Sequence, residues 1–560
     1  MTRIRIALIF CRPLFALLAL AAGLSARADV TMPAIFGDHM VLQRDATVPV
    51  WGQAAPDEEV SVSIAGQTQT TRATATGDWM VKFSNLQAAK PDDTAALADS
   101  GLRTPDAAAQ TPATPAAAHA ALGNAGVSPA DEGRPDPRPA TTLTIRGKNT
   151  IVINDVLIGE VWLGSGQSNM VLSINRGVRN PAAVIADANR PRIRLFTEES
   201  YGAGAPQRTG KGKWVLCTPE TIPEFSATLY FFGIELQRAL QVPVGLILSA
   251  RGGTRIESWI DYDQQKKIPG DKPYLKTMVE NFAAATKAGT NPAAKAGAKG
   301  GKGKASKPTK QQLDELKAAR EGPPGGLFYA KICPLIPFAI RGLLWYQGEA
   351  NTQPECAPYY GRQLQLLVTD WRARWGYDFP AAWAQLPRYS APGRDWPRVR
   401  EGQLNALALP NTGMAILIDT GDKDNIHPAD KIEVGHRLAL WALGTVYNKP
   451  VPATSGPLPA GHEIRANNAN EIVVRFTHAD GGLVSKDGAQ KNTPRGFVIA
   501  GADKQWKPAQ ARIDGDAVII SSPEVPAPVA ARYGWENYPD CNLSNAAGLP
   551  ASPFRTDDWE

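Results

Sequence analysis

The chain is 560 residues long but has only six histidines and five cysteines, and beyond its N-terminal tract it has no apolar run able to cross a bilayer. Each scarcity narrows the choice. The missing runs exclude a multi-span membrane protein. Cys11 follows bulky Phe10, where a lipid-attachment site needs a small residue. The other cysteines, Cys217, Cys333, Cys356 and Cys541, lack the spacing of a zinc site. Four cysteines allow three disulfide pairings, with buried free thiols as the alternative. Excess basic charge is also missing from the body. Net charge is +6, but four arginines sit at positions 3, 5, 12 and 27, and seven lysines lie between Lys287 and Lys310. The remainder is mildly acidic, which argues against a nucleic-acid partner.

What is present begins with Arg3 and Arg5, an apolar stretch, and Ala26-Arg27-Ala28. This order reads as a signal peptide over 1–28, which directs the protein to the periplasm or outside the cell. Residues 29–155 alternate in short strand-like pieces, as in Val60-Ser61-Val62-Ser63-Ile64. An Ala/Pro/Asp-rich insertion at 88–140 interrupts them, and strand-like sequence resumes at Thr141 to Ile145. A second low-complexity insertion covers about 283–306. Strand-like sequence returns over 450–560.

Between 156 and 449 the pattern alternates buried strands with amphipathic helices. Strands are expected at Val156–Leu163, Val242–Leu248, Ile340–Tyr346 and Met414–Ile418. Helices are expected at Ser226–Leu240, Tyr359–Trp375 and Pro428–Tyr447. The fold class is therefore α/β, with a doubly wound, largely parallel sheet whose site lies at the C-terminal strand ends. The four most unusual polar segments fall at those ends.

Ser168 follows the first strand in Gly166-Gln167-Ser168-Asn169-Met170. A serine needs a base, and the base an orienting acid. Met170 stands where an α/β-hydrolase elbow has its second glycine. Ser165 is a competing hydroxyl read as a support residue. Among the histidines, His39, His119, His462 and His478 fall in β-rich or low-complexity sequence, and His436 lies within a helix. His427 remains the best base. Asp424 precedes it by three residues, and Asp419 and Asp422 are read as turn or cap residues. Gly252-Gly253-Thr254 ends the second strand and offers backbone N–H groups to an oxyanion. Gln347 ends the third and offers a side-chain N–H. Glu349 beside it is a substrate-side residue, or the acid of a rival glycosidase, which normally needs a second carboxylate. Trp259, Trp345 and Tyr346 read as core, with sugar stacking in a non-catalytic carbohydrate-binding protein as the alternative.

The ordered set Gly166 to Met170, Gly252 to Trp259, Trp345 to Asn351 and Asp424-x-x-His427-Pro428 resembles the sialate O-acetylesterase family. Phe36 to Gln43 and Asn542 to Asn545 extend the resemblance toward both ends. That family belongs to the SGNH (GDSL-like) hydrolases and is related to acetylxylan esterases. The resemblance implies a flavodoxin-like SGNH domain flanked by β-sandwich regions and metal-free removal of acetyl groups from a sugar or glycan. It implies Ser168 as nucleophile, His427 as base and Asp424 as its orienter. It also implies the Ser168 and Gly253 N–H groups and Gln347 as oxyanion donors. Leu327 to Lys331 departs from the family's usual Tyr-Asn-Gly-Met-like run, on the substrate side.

Overall fold

The computed structural model describes residues 29–88, 141–269, 273–287, 321–465, 470–486 and 493–559. The signal-peptide reading and nearly all of both insertions lie outside these residues. Residues 283–287, expected to open the second insertion, instead close the helix Pro273–Lys287. Their alanines favour helix as readily as low complexity.

The centre is a sheet of seven strands: β1 (Thr150–Gly166), β2 (Arg190–Thr197), β3 (Trp214–Cys217), β4 (Val244–Ala250), β5 (Gly342–Tyr346), β6 (Ala381–Ala384) and β7 (Thr412–Ala415). Their order is β7-β6-β5-β1-β4-β2-β3. All pairings are parallel except β2 with β3. Helices cover both faces: α1 (Ala227–Leu240), α2 (Tyr360–Trp375), α3 (Trp396–Asn405) and α4 (Lys431–Trp441). Alternation along β5 divides the core. Leu344 and Tyr346 pack with Leu229, Phe232, Val434 and Leu438 of α1 and α4. Leu343 and Trp345 join Leu364, Trp371 and Val399 of α2 and α3. Side chains of successive strand residues point to opposite faces, so one strand feeds two cores.

The expected strands at 156, 242, 340 and 414 are all present, with shifted ends. β1 is longer than expected. Its first part pairs antiparallel with Thr141–Arg146, and Leu157 to Gly159 pair parallel with Val41–Gln43. One strand therefore carries the N-terminal β region into the central sheet. Thr141–Arg146 also pairs with Glu59–Ile64, across the insertion. The last helix is shorter than expected, running as α4 and then a wider turn at Ala442–Val446. Ser226 caps α1, its Oγ accepting from the Leu229 N–H at 3.2 Å.

The C-terminal β region has its own core, including Ile472, Val474, Ile499, Ile520 and Phe554. The described cysteines are free thiols, so no disulfide forms among them. No helix of the described residues is long and apolar enough to cross a membrane.

Candidate active site

Three neighbouring parallel strands end level with one another. Gly166 of β1 lies in register with Ala250 of β4 on one side and Tyr346 of β5 on the other. The ladder runs one residue further. The Arg251 N–H donates to the Gly166 carbonyl (3.0 Å) and the Gln167 N–H to the Tyr346 carbonyl (2.9 Å). The segments beginning at Gln167, Arg251 and Gln347 thus leave the sheet from one edge. That edge is where connections diverge to the two sides of β1, the usual position of a site in an open α/β sheet.

Gly166 makes the exit sharp. Its φ is +133°, and an added Cβ would lie 2.1 Å from the Tyr346 carbonyl oxygen. The chain then enters a helical turn, Ser168–Val171. Ser168 is half-buried, whereas Ser165 is fully buried and closed to substrate. Gly252 packs against Ser168, since a Cβ on it would sit 3.6 Å from the serine Cβ. Gly253 follows, exposed and with φ +72°. Among the described residues, neither the Ser168 nor the Gly253 N–H has a hydrogen-bond partner.

The His427 loop reaches the same edge. Asn169 Nδ2 donates to the Ile426 carbonyl at 3.0 Å, tying the residue after the serine to the residue before the histidine. His427 is half-buried, and its ring makes no hydrogen bond among the described residues. Burial, then the nearby charges of Lys431 and Arg176, push its pKa below the usual imidazole value. Asx turns shape the loop: Asp422 Oδ1 accepts from the Asp424 and Asn425 N–H groups (2.9 and 3.1 Å), and Asn425 Oδ1 from the His427 N–H (2.9 Å). Asp424 is exposed and is not joined to His427. Asp422 is the expected turn residue. Asp419 is not; it is ion-paired with Arg437 (2.7 Å) and Lys486 (2.9 Å). Burial opposes its charge, but those cations hold its carboxyl well below the usual range. His436 is a packing residue bound to Glu235 at 3.0 Å.

The family described as "Carbohydrate esterase, sialic acid-specific acetylesterase" matches residues 328–443. A carbohydrate acetylesterase from Xanthomonas citri, of solved structure, is 31% identical with a TM-score of 0.73, and the match covers 95% of this chain and 100% of the other. Sialate O-acetylesterases of Mus musculus and Homo sapiens are each 26% identical, over 470 and 448 residues. Each match spans 72% of this chain, and 78% and 76% of the respective relative. The chain belongs to the sialate O-acetylesterase family. It is a carboxylic ester hydrolase and a carbohydrate esterase.

Two expectations about this esterase change. Gln347 does not face an oxyanion. It is fully buried, and its Nε2 is held by Asn351 Oδ1 (2.7 Å), Gln167 Oε1 (3.1 Å) and the Thr254 carbonyl (3.2 Å). An amide nitrogen has only two protons, so three acceptors leave none for substrate. Asn351 continues the web by donating to both Glu257 oxygens (3.0 and 2.9 Å), and Gln363 donates to Glu257 at 3.0 Å. Glu349 is also turned inward. It is buried, with Oε1 accepting from Asn169 Nδ2 at 2.5 Å. Burial raises its pKa, opposed by Asn169 and Lys431. Neither a substrate contact nor a glycosidase acid fits that position.

Trp259, Trp345 and Tyr346 are core residues, each at most 1% exposed. Lys331, in the segment that departs from the family pattern, is buried and donates to the Glu198 and Ser200 carbonyls. Among the described residues, no three His, Cys, Asp or Glu side chains converge as metal ligands. Gln167, Asn169, Glu257, Asn351 and Lys431 also carry contacts at this edge, beyond the expected site residues. Four of them sit inside the quoted motifs, which was the available signal.

Proposed function

We propose that this esterase removes O-acetyl groups from sugars through an acetyl-enzyme, with Ser168 as nucleophile, His427 as base and Asp424 as its orienter. The observation that carries the reading is the shared strand edge: Gly166, Ala250 and Tyr346 in register, with Gly252 against Ser168. On this reading the central body, about 156–449, is an SGNH-hydrolase (flavodoxin-like) domain between β-sandwich regions at 29–155 and 450–560.

His427 removes the Ser168 proton as Oγ attacks the acetyl carbonyl. The N–H groups of Ser168 and Gly253 stabilise the oxyanion. His427 returns the proton to the departing sugar hydroxyl. It then activates water, which releases acetate. Its lowered pKa keeps the imidazole neutral near pH 7, the form a base requires. The orienting role requires the exposed Asp424 side chain to turn toward Nδ1. Sialic acid is the leading sugar, because the matching family and the curated relatives carry that name. The basic and apolar N-terminus supports export to the periplasm or beyond.

An acetate-release screen over O-acetylated sialic acid, acetylated xylan and simple acetylated sugars tests the reading. Release is expected from the sialate, and none from the Ser168→Ala enzyme. Undiminished turnover by Ser168→Ala overturns the assignment.

A further inference from the structure

The serine turn and the histidine loop are distant in sequence, yet one buried side chain spans both. Asn169 is fully buried. Its Nδ2 has two protons and two acceptors: Glu349 Oε1 at 2.5 Å and the Ile426 carbonyl at 3.0 Å. Glu349 stands at the end of β5, three residues past Tyr346. Lys431, at the start of α4, is also buried, with its charge near Glu349. Its Nζ donates to the Pro428 carbonyl at 2.7 Å and lies 5.5 Å from the centre of the Tyr346 ring. The two residues flanking His427 are therefore each held through their carbonyl by a buried side chain, Ile426 by Asn169 and Pro428 by Lys431.

We propose that Asn169 and Glu349 are positioning residues of the esterase reaction, with Glu349 orienting the Asn169 amide so that it fixes the His427 loop over Ser168. This rests on the Ser168–His427 reading. Neither residue touches substrate. Glu349 aims the amide, Asn169 holds the Ile426 carbonyl, and the histidine ring is set by the backbone that follows. Free Asn169 would turn about its terminal torsion, and its buried oxygen would repel the Ile426 carbonyl. What Glu349 must supply is an acceptor, not a charge. Burial raises its pKa against the opposing pulls of Asn169 and Lys431, and its Oε2 is buried without a hydrogen-bond partner.

This separates Glu349→Gln from Glu349→Ala. Glutamine retains an acceptor of the same shape; alanine retains none. With 4-nitrophenyl acetate, Asn169→Ala and Glu349→Ala are expected to lower kcat by about 10²-fold with KM within about twofold, the usual consequence of a catalytic group misplaced by an ångström. Glu349→Gln is expected to recover most of that loss. If Glu349→Gln is as impaired as Glu349→Ala, the carboxyl acts through its charge or proton and the proposal is overturned. It is equally overturned if Asn169→Ala keeps wild-type kcat. Should Glu349→Ala fail to fold, Asn169→Ala and Glu349→Gln still decide. Ser168→Ala and His427→Ala run beside them. Activity surviving in those two removes the underlying reading, whereas their inactivity with an active Asn169→Ala removes only the positioning role.

Discussion

The two walls of the site are built differently. The Ser168 wall is the edge of a parallel sheet, where three strands end in register and ladder hydrogen bonds continue into the motif residues. The His427 wall is a partly exposed loop shaped by Asx turns and tied to the serine side through the Asn169 amide. Ladder bonds are numerous and cooperative, so the serine side is rigid before substrate arrives. The loop is held instead by individual side-chain ties, Asn169 to the Ile426 carbonyl and Lys431 to the Pro428 carbonyl, so its placement depends on single residues. The separation between Asp424 and His427 belongs to this second wall, since exposed side chains change rotamer within nanoseconds.

Substitutions can break this contrast. The largest effect is expected on the rigid wall: Ser168→Ala should lower kcat by roughly 10⁵-fold or more without lowering Tm, measured by acetate release and calorimetry. On the loop, Asp424→Asn is expected to cost about 10³-fold in kcat, with Tm unchanged because the residue is exposed. An active Asp424→Asn would assign the orienting role elsewhere. Gly166→Ala should act through the sheet, since its Cβ meets the Tyr346 carbonyl and its φ is +133°. A loss of about 3 kcal/mol in unfolding free energy is expected, read by denaturant titration.

The smallest effect is electrostatic. The charge of exposed Arg176 helps hold the His427 pKa down, after burial and Lys431. Activity needs neutral His427, so kcat/KM falls as pH drops through its pKa. Arg176→Ala raises that pKa, and the acidic limb should move to higher pH while the plateau stays level. A limb that does not move would detach this limb from His427.

The serine wall was legible in the sequence because it follows from period and position. A buried run, then glycine or glutamine motifs, marks a strand end, and parallel topology brings such ends together. Ser168, Gly252 and Gln347 were found that way. The role of Gln347 was not. Whether an amide faces a site or a buried web depends on partners at 167, 254 and 351, which no local pattern encodes. Glu349 was misread for the same reason, its partner Asn169 being 180 residues away. Strand β2 was missed because Arg190, Arg192 and Arg194 hide its apolar face, and β6 because Ala381, Ala382 and Ala384 carry little strand signal.

The most direct test of the central claim is covalent. An alkyl fluorophosphonate attacks only an activated serine, and peptide mass spectrometry then locates the adduct. The account predicts one adduct, on Ser168, with acetate release lost in proportion and labelling much slower in His427→Ala. An adduct on another serine, or full inactivation with Ser168 unmodified, would contradict it.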